Sequence, residues 1–431
     1  MIRTPRLPAL QQRDFRLLWS GQIISTIGTH MQLFAINWHV YQLLQGHVFS
    51  FGLFTWHITL NAQVLGLGAL GAIRVVPIFI FALLGGLLAD RYDRRQLILW
   101  SQLIAGISAC GLALLTFSGH VTVPLLYLFT AIGVAISAFD EPAQSALFPE
   151  LVPGEHLPNA TSLYALLWNI GTITGPALAG LLVGSTNLGI VYVINALSFG
   201  IGILTVFLLR HRGQAHRHNT QGEPLQMSWR SIVEGLHFVW HSRLIRSTML
   251  VDCAATFFAS ARTMLPVVAD QMLHVGVQGY GLLATAQPIG SLATSIFLTL
   301  RTPIKRQGAI FFLSVALYGL ASALFGISTY FALSAILYGL TGVGDSISTV
   351  IRSTIRQQWT PDQLRGRANS IHMIVAFGGP QIGELEAGLL AALIGVPLTI
   401  FSGGLITLGI LVWFAWRYPD LRAYQAKTIE S

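Results

Sequence analysis

The sequence predicts an all-α polytopic membrane protein with twelve transmembrane helices in two six-helix pseudo-repeats, and three observations lead there. Only 10% of the 431 residues are charged while 53% are hydrophobic, against roughly a quarter charged in soluble domains. Apolar stretches near the ~20 residues a helix needs to cross a bilayer recur along the whole chain. Finally, 23 of the 25 Lys and Arg residues fall in alternate connections between those stretches. A mean hydropathy of +0.64 and 43 glycines suit helices that approach one another closely in lipid. Disorder, collagen, coiled coil and a disulfide-stapled secreted domain are excluded. Cys110 and Cys253 lie in apolar runs with no CxxC or Cys/His metal spacing and read as small core residues.

The spans fall at roughly 15–41, 64–88, 96–118, 122–141, 161–184, 187–209, 245–268, 280–300, 308–327, 329–352, 369–394 and 396–416. Arg3, Arg6, Arg13 and Arg16 stand at the N-terminus, and Arg91, Arg94 and Arg95 join spans two and three. The remaining clusters follow spans six, eight, ten and twelve. An even number of spans puts the termini on one side, and the positive-inside rule makes that side cytoplasmic. The net charge of +8 is therefore an orientation signal of a multi-pass protein of the cytoplasmic (inner) membrane, and no nucleic-acid partner is expected. Met1–Leu10 has no short apolar core ending in a small-residue cleavage site, so no removable signal peptide is expected and the first span directs insertion.

The one sizeable linker divides the chain into a six-helix bundle at 1–210, a cytoplasmic linker at 211–243, and a second six-helix bundle with a short cytoplasmic tail at 244–431. Six plus six predicts a repeat. Shifting the sequence by 208 lays Pro153–Leu182 over Pro361–Leu390 with nine identities in thirty, three of them glycines in register. Spans five and eleven read as duplicates.

Between spans two and three runs Gly86-Leu-Leu-Ala-Asp90-Arg91-Tyr-Asp93-Arg94-Arg95, a tight turn in which Asp90 beside arginines can form a charge-assisted cluster that locks one conformation. In span five, Gly171, Gly175, Pro176 and Gly180 make a thin, kinkable helix face. These strings resemble, respectively, the signature and the antiporter motif of the major facilitator superfamily, with Asp93 where the signature has its second glycine and Ala179 for a glycine in the other. Asp140-Glu-Pro-Ala-Gln-Ser-Ala-Leu-Phe-Pro149-Glu-Leu-Val-Pro153, Thr360-Pro-Asp-Gln-Leu-Arg365-Gly-Arg367, Phe15-Arg-Leu-Leu-Trp19 and Gly383-Glu384-Leu-Glu386-Ala-Gly388 extend the likeness to the enterobactin-exporter-like and drug-exporter branch. The resemblance implies alternating access, with two halves rocking about a central cavity. It also implies a cytoplasmic gate of Gly86, Asp90, Arg91, Arg94, Arg95 and Asp140, in which Asp140 pairs with Arg91 or Arg95 or is simply solvated at a helix end. Span four lacks the arginine that many proton-driven drug antiporters carry there.

Ionisable residues inside spans are expensive and usually face a cavity or a partner. Arg74, Asp252, Arg262, Asp345, Glu384 and Glu386 qualify, and Asn37 joins them on a polar face of span one with Thr29, His30 and Gln32. Arg74 and Glu384 lie at similar depth and can pair in one transport state or be satisfied locally. Asp345 shares a helical face with Arg352 seven residues on, as a cytoplasmic gate or as helix-end charge balance. A protonatable carboxyl that is alternately wet and dry is what proton coupling needs, and Glu384, Asp252 or Asp345 can carry that proton or pair structurally. Arg262 lies near the outer end of span seven, where it can snorkel.

No phosphate-binding loop, Ser/His/Asp arrangement or zinc pattern appears, so neither an enzyme nor ATP-driven transport by this chain is expected. No cofactor or metal is expected; the energy source is a proton gradient. The expected function is secondary, proton-coupled export of a siderophore-like metabolite or amphipathic drugs by a monomer in the bilayer. An uncoupled carrier, or a transporter-like scaffold or sensor, is the alternative.

Overall fold

The computed structural model describes residues 7–53, 56–211, 229–300, 306–361 and 364–425, and of these, 49–53, 56–59, 82–91, 229–233, 235, 365–371, 373–375 and 377 by backbone alone. A short turn, α1 (Pro8–Gln11), precedes α2 (Arg13–Leu43). Next come the strands β1 (Val48–Leu53) and β2 (Trp56–Asn61), then α3 (Ala62–Arg91), α4 (Arg94–Phe117), α5 (Val123–Glu150), α6 (Leu157–Ser185) and α7 (Leu188–Phe207). After the linker lie α8 (Trp229–His241), α9 (Arg243–Phe258), α10 (Leu265–Val267), α11 (Gly276–Leu300), α12 (Gln307–Ile327), α13 (Phe331–Trp359), α14 (Arg365–Ile394), α15 (Val396–Arg417) and α16 (Pro419–Arg422).

Ten helical segments among the described residues are long and apolar enough to cross a membrane. The other two expected spans coincide with α2 and α14, of 31 and 30 residues. At 1.5 Å per residue each exceeds the ~30 Å hydrocarbon thickness. The surface is inside-out by the standards of water. Along α4, Trp100, Ile107 and Leu114 recur every seven residues at 63%, 64% and 70% exposure, an apolar stripe suited to lipid, while Ser101 and Gln102 are buried.

Two local features stand within the helical architecture. Between α2 and α3, β1 pairs antiparallel with β2, with Phe49 opposite Leu60 and Phe51 opposite Ile58. The alternation Phe49, Phe51, Leu53 against Ser50 and Gly52 is a period-two signal that apolar length alone hides. Span seven is also not one continuous helix. It breaks after Phe258 into a 3₁₀ turn (Arg262–Met264), α10 and a π turn (Val268–Met272). Pro266 sits in the first turn of α10, where a missing N–H is tolerated, and at the break the carbonyl of Ala259 accepts from Ser322 Oγ at 3.2 Å and Tyr318 Oη at 3.5 Å, both on α12.

Contacts group the chain into two units: Met1–Leu43 with Ile73–Asn219 and Gly276–Thr285, and Leu44–Ala72 with Thr220–Val275 and Ala286–Ser431. The hairpin and the first turns of α3 thus belong with the second unit, and the first turns of α11 with the first. Phe15, Leu18, Ile98, Leu147 and Phe148 form the centre of the first unit's core, where the rings of Phe15 and Phe148 meet edge-on at 5.5 Å. Phe311, Val315, Ile351, Ile355 and Phe414 do so in the second.

Glycines that the 208-residue shift superimposes do the same work in each unit. Gly171 and Gly175 of α6 lie against Thr26 and His30 of α2, and their counterparts Gly379 and Gly383 of α14 against Cys253 and Phe257 of α9. Gly180 meets Gly281 of α11, and its counterpart Gly388 meets Gly68 of α3. Close helix crossings without side chains between them gain van der Waals contact that lipid cannot supply.

Candidate functional site

The densest charge cluster described within the spans lies in the second unit, where α9 and α13 pack. Asp345, Thr349 and Arg352 are spaced four and three residues apart on α13 and so share one face. The Arg352 guanidinium reaches across to Asp252 of α9 in direct ion-pair contact through Nη1. Its Nη2 donates to Thr349 Oγ1 at 2.8 Å and lies 3.9 Å from Asp345; Nε donates to the Ser348 carbonyl at 3.3 Å. Thr349 stands one turn from Asp345 on that face, between the second acid and the arginine. The Asp252 and Arg352 side chains are only 11% and 8% exposed, against 41% for Asp345. Between them is a void with room for about one water, lined by Asp252, Thr256, Tyr318, Gly344, Asp345 and Ser348. A carboxylate and a guanidinium in contact offset each other's burial, but a single guanidinium leaves a second carboxylate without full compensation.

Further along the same unit, Arg262 occupies the 3₁₀ turn in the break of span seven and is exposed. Tyr338 of α13 feels the charges of both Arg262 and Glu384, and its hydroxyl donates to Gln287 Oε1 of α11 at 3.0 Å. Glu384 is 2% exposed, whereas Glu386 is half-buried.

In the first unit, Arg74 of α3 donates from Nη2 to Asn37 Oδ1 of α2 at 3.5 Å, and Asn37 in turn donates to the Leu33 carbonyl. The polar face of span one continues through Gln32, whose Oε1 accepts from Asn195 of α7 at 2.8 Å. His30 packs edge-on against Trp168, with ring centroids 6.1 Å apart.

The turn between α3 and α4 differs from its sequence reading. Asp93 is the N-cap of α4 and accepts from the amides of Arg95 and Gln96. Its φ of −59° lies outside the left-handed region that would call for glycine, which accounts for the departure from the superfamily signature. Arg94 forms an ion pair with Glu150 and donates to the Ala146 carbonyl at 3.4 Å. Arg95 caps the end of α7, donating to the carbonyls of Val206 and Phe207 at 3.1 and 2.8 Å. Asp140 does not pair with Arg95: it accepts from Gln144 Nε2 at 2.6 Å, one turn along α5. Two helix-terminal carbonyls are the better partners for Arg95, since it sits beside the negative end of α7. The side chains of Gly86, Asp90 and Arg91 lie outside the described residues, so pairing of Asp140 with Arg91 does too.

Sequence reasoning named Asp252, Asp345 and Arg352 without joining all three, and it missed Thr349 and Glu150. Thr349 carries a spacing signal, four residues after Asp345. Glu150 stands in the quoted 140–153 string with no local hint of its partner. Among the described residues no group of three His, Cys, Asp or Glu side chains could hold a metal ion.

Comparison with known proteins adds what geometry leaves open. Residues 4–430 match the profile of a major facilitator family described as transmembrane secretion effector. An enterobactin exporter, EntS, of Escherichia coli O81 is 27% identical over 360 residues, covering 83% of each chain, and that of Shigella boydii serotype 18 is 26% identical over the same share. Among solved structures, the nucleoside transporter NupG matches with a TM-score of 0.68 at 15% identity, covering 96% of this chain and all of that one. A bacterial homologue of the human lysosomal transporter Spinster, inward-facing and occupied, matches at 0.71 with 12% identity, covering 95% and 96%.

Proposed function

Because the chain belongs to the transmembrane secretion effector family of the major facilitator superfamily, and is therefore a multi-pass membrane transporter and not an enzyme, we propose that it exports a siderophore-like metabolite across the cytoplasmic membrane in exchange for protons. On this reading twelve spans form two six-helix halves that alternate access to a central cavity, both termini are cytoplasmic, and the protein works as a monomer. The enterobactin exporters it resembles over 83% of their length support the substrate class. Arg74 and Arg262 would favour an anionic catecholate or carboxylate, and the acidic residues a cation, so amphipathic cationic drugs stand second.

The observation that carries the coupling is the pair of carboxylates sharing one guanidinium within the spans, Asp252 and Asp345 about Arg352. Buried charge of this kind is costly and marks ion pathways. Asp90, Arg91, Arg94, Arg95 and Asp140 with Gly86 make the cytoplasmic gate in this proposal. Gly171, Gly175, Pro176 and Gly180 form the helix face that rocks, and Asn37, Glu384 and Glu386 line the path.

Purified protein in vesicles loaded with a pH-sensitive dye tests the reading. Addition of enterobactin under an imposed pH gradient should release protons through the protein, and ethidium should do so less or not at all. Proton release with ethidium alone would move the substrate class to cationic drugs. Flux of either probe without any proton release would make the protein an uncoupled carrier.

A further inference from the structure

We propose that Asp252, Asp345 and Arg352 form a one-proton site in which Arg352 stays bound to Asp252 while Asp345 takes up and releases the proton. The proposal deepens the proton-coupled reading above and rests on it for the use to which the proton is put, though not for the site itself.

With both acids ionised the triad carries a net −1; with one proton it is neutral, the state that a low-dielectric surrounding favours. Asp252 is the more enclosed acid and holds the guanidinium directly. Asp345 is 41% exposed and lies 3.9 Å from the guanidinium. The more accessible acid is thus also the one with the weaker claim on the arginine. Protonation adds a proton to an Asp345 carboxylate oxygen; release returns it to water, and no other bond need change. When Asp345 is ionised it pulls on Arg352 without displacing Asp252, so the proton's presence is read as a change in the load on one side chain bridging α9 and α13.

Other titratable groups face the site from the elements packed around it. Cys253 stands beside Asp252 on α9, Tyr318 of α12 lines the void, and Arg356 of α13 and His372 of α14 lie within electrostatic reach of Arg352. Arg356 lies about 16 Å along the helix from Asp345 at 1.5 Å per residue, so it acts on the arginine more than on the outer acid. Tyr318 donates its hydroxyl to the Ala259 carbonyl and Thr256 donates its own to the Asp252 carbonyl. A void with room for one water suits a proton better than a sodium ion, which needs a shell of oxygen ligands.

Infrared difference spectroscopy on the full chain in phosphatidylethanolamine–phosphatidylglycerol vesicles, taken between about pH 5 and pH 9, reads the site without any substrate. Asp140, Glu141 and Glu386 are further enclosed carboxyls, so the signal is the difference from Asp345→Asn: a protonated-carboxyl C=O component that grows at low pH, is lost in that variant and persists at an altered frequency in Asp345→Glu, which also controls for folding. The imidazole of His372 contributes nothing to this band. Asp252→Asn frees Arg352 for Asp345 and should lower the band's midpoint by at least about one pH unit, whereas Arg352→Gln should raise it by a similar amount. A cluster that stays ionised across this range would show no Asp345 component to shift. A spectrum that Asp345→Asn leaves unchanged, a midpoint of the Asp345 component that Asp252→Asn and Arg352→Gln fail to shift oppositely, or a midpoint that moves when sodium replaces choline overturns the proposal. If the infrared results hold while neither enterobactin nor ethidium releases protons, the site stands and the export reading falls.

Discussion

Gly388 of α14 lies so close to Gly68 of α3 that a Cβ on Gly388 would stand 2.6 Å from the Gly68 Cα and 2.9 Å from the Val64 carbonyl oxygen. Those neighbours are backbone and cannot swing aside. Gly388→Ala should therefore cost roughly 1–3 kcal/mol, and Gly180→Ala, its repeat counterpart against Gly281, should behave alike. A Cβ added at Gly200 of α7 would meet nothing within 4 Å, so Gly200→Ala should be neutral or stabilising by up to about 1 kcal/mol. Apparent melting in detergent reads all three; equal behaviour of Gly200→Ala and Gly388→Ala would deny the close crossing.

Asp93 caps α4 through its carboxylate. Asp93→Ala should cost about 1 kcal/mol, Asp93→Asn little, and Asp93→Gly, which restores the superfamily residue, only a few tenths. Melting temperatures should follow that order, and an Asp93→Ala variant as stable as Asp93→Asn would remove the cap from the account.

The triad predicts an order of damage. Arg352→Gln leaves Asp252 buried without its cation, a loss of about 3–5 kcal/mol by analogy with other broken buried pairs. Asp252→Asn should cost less, because Asp345 remains to hold the guanidinium, and Asp345→Asn least, because its side chain is the most exposed of the three. Yield and melting temperature of purified variants check this. If Asp345→Asn proved the most disruptive, the assignment of Asp252 as the holding partner would be wrong.

The extent to which these features were legible in the sequence depended on how local their cause is. Helix positions follow from runs of apolar residues and came through in the expected places, because lipid forces backbone hydrogen bonds to close within each segment. The glycines of α6 and α14 were readable because a duplicated packing problem leaves a duplicated solution in register. The hairpin was not, since a period-two pattern of fourteen residues is faint beside spans twice its length. Nor was the break at Ala259–Ala261, which depends on hydroxyls of Ser322 and Tyr318 supplied sixty residues away. Charged residues could be nominated one at a time, but that Arg352 binds Asp252 and that Arg95 binds the end of α7 are facts of tertiary packing.

Orientation gives a further check. With the termini in the cytoplasm, His120, in the connection after α4, should lie outside and Glu155, in the connection before α6, inside. In a background with Cys110 and Cys253 replaced by alanine, His120→Cys should react with a membrane-impermeant maleimide in intact cells, and Glu155→Cys only in inverted vesicles. The reverse pattern would invert the assignment made from the basic residues.

The central claim, proton-driven export, is met most directly by measuring concentration of labelled enterobactin in inverted vesicles under an imposed pH gradient, interior acid. The account predicts accumulation above the external concentration, lost when an ionophore collapses the gradient and lost in Asp345→Asn. Equilibration to the external concentration with the gradient intact, and at the same rate once it is collapsed, would contradict it.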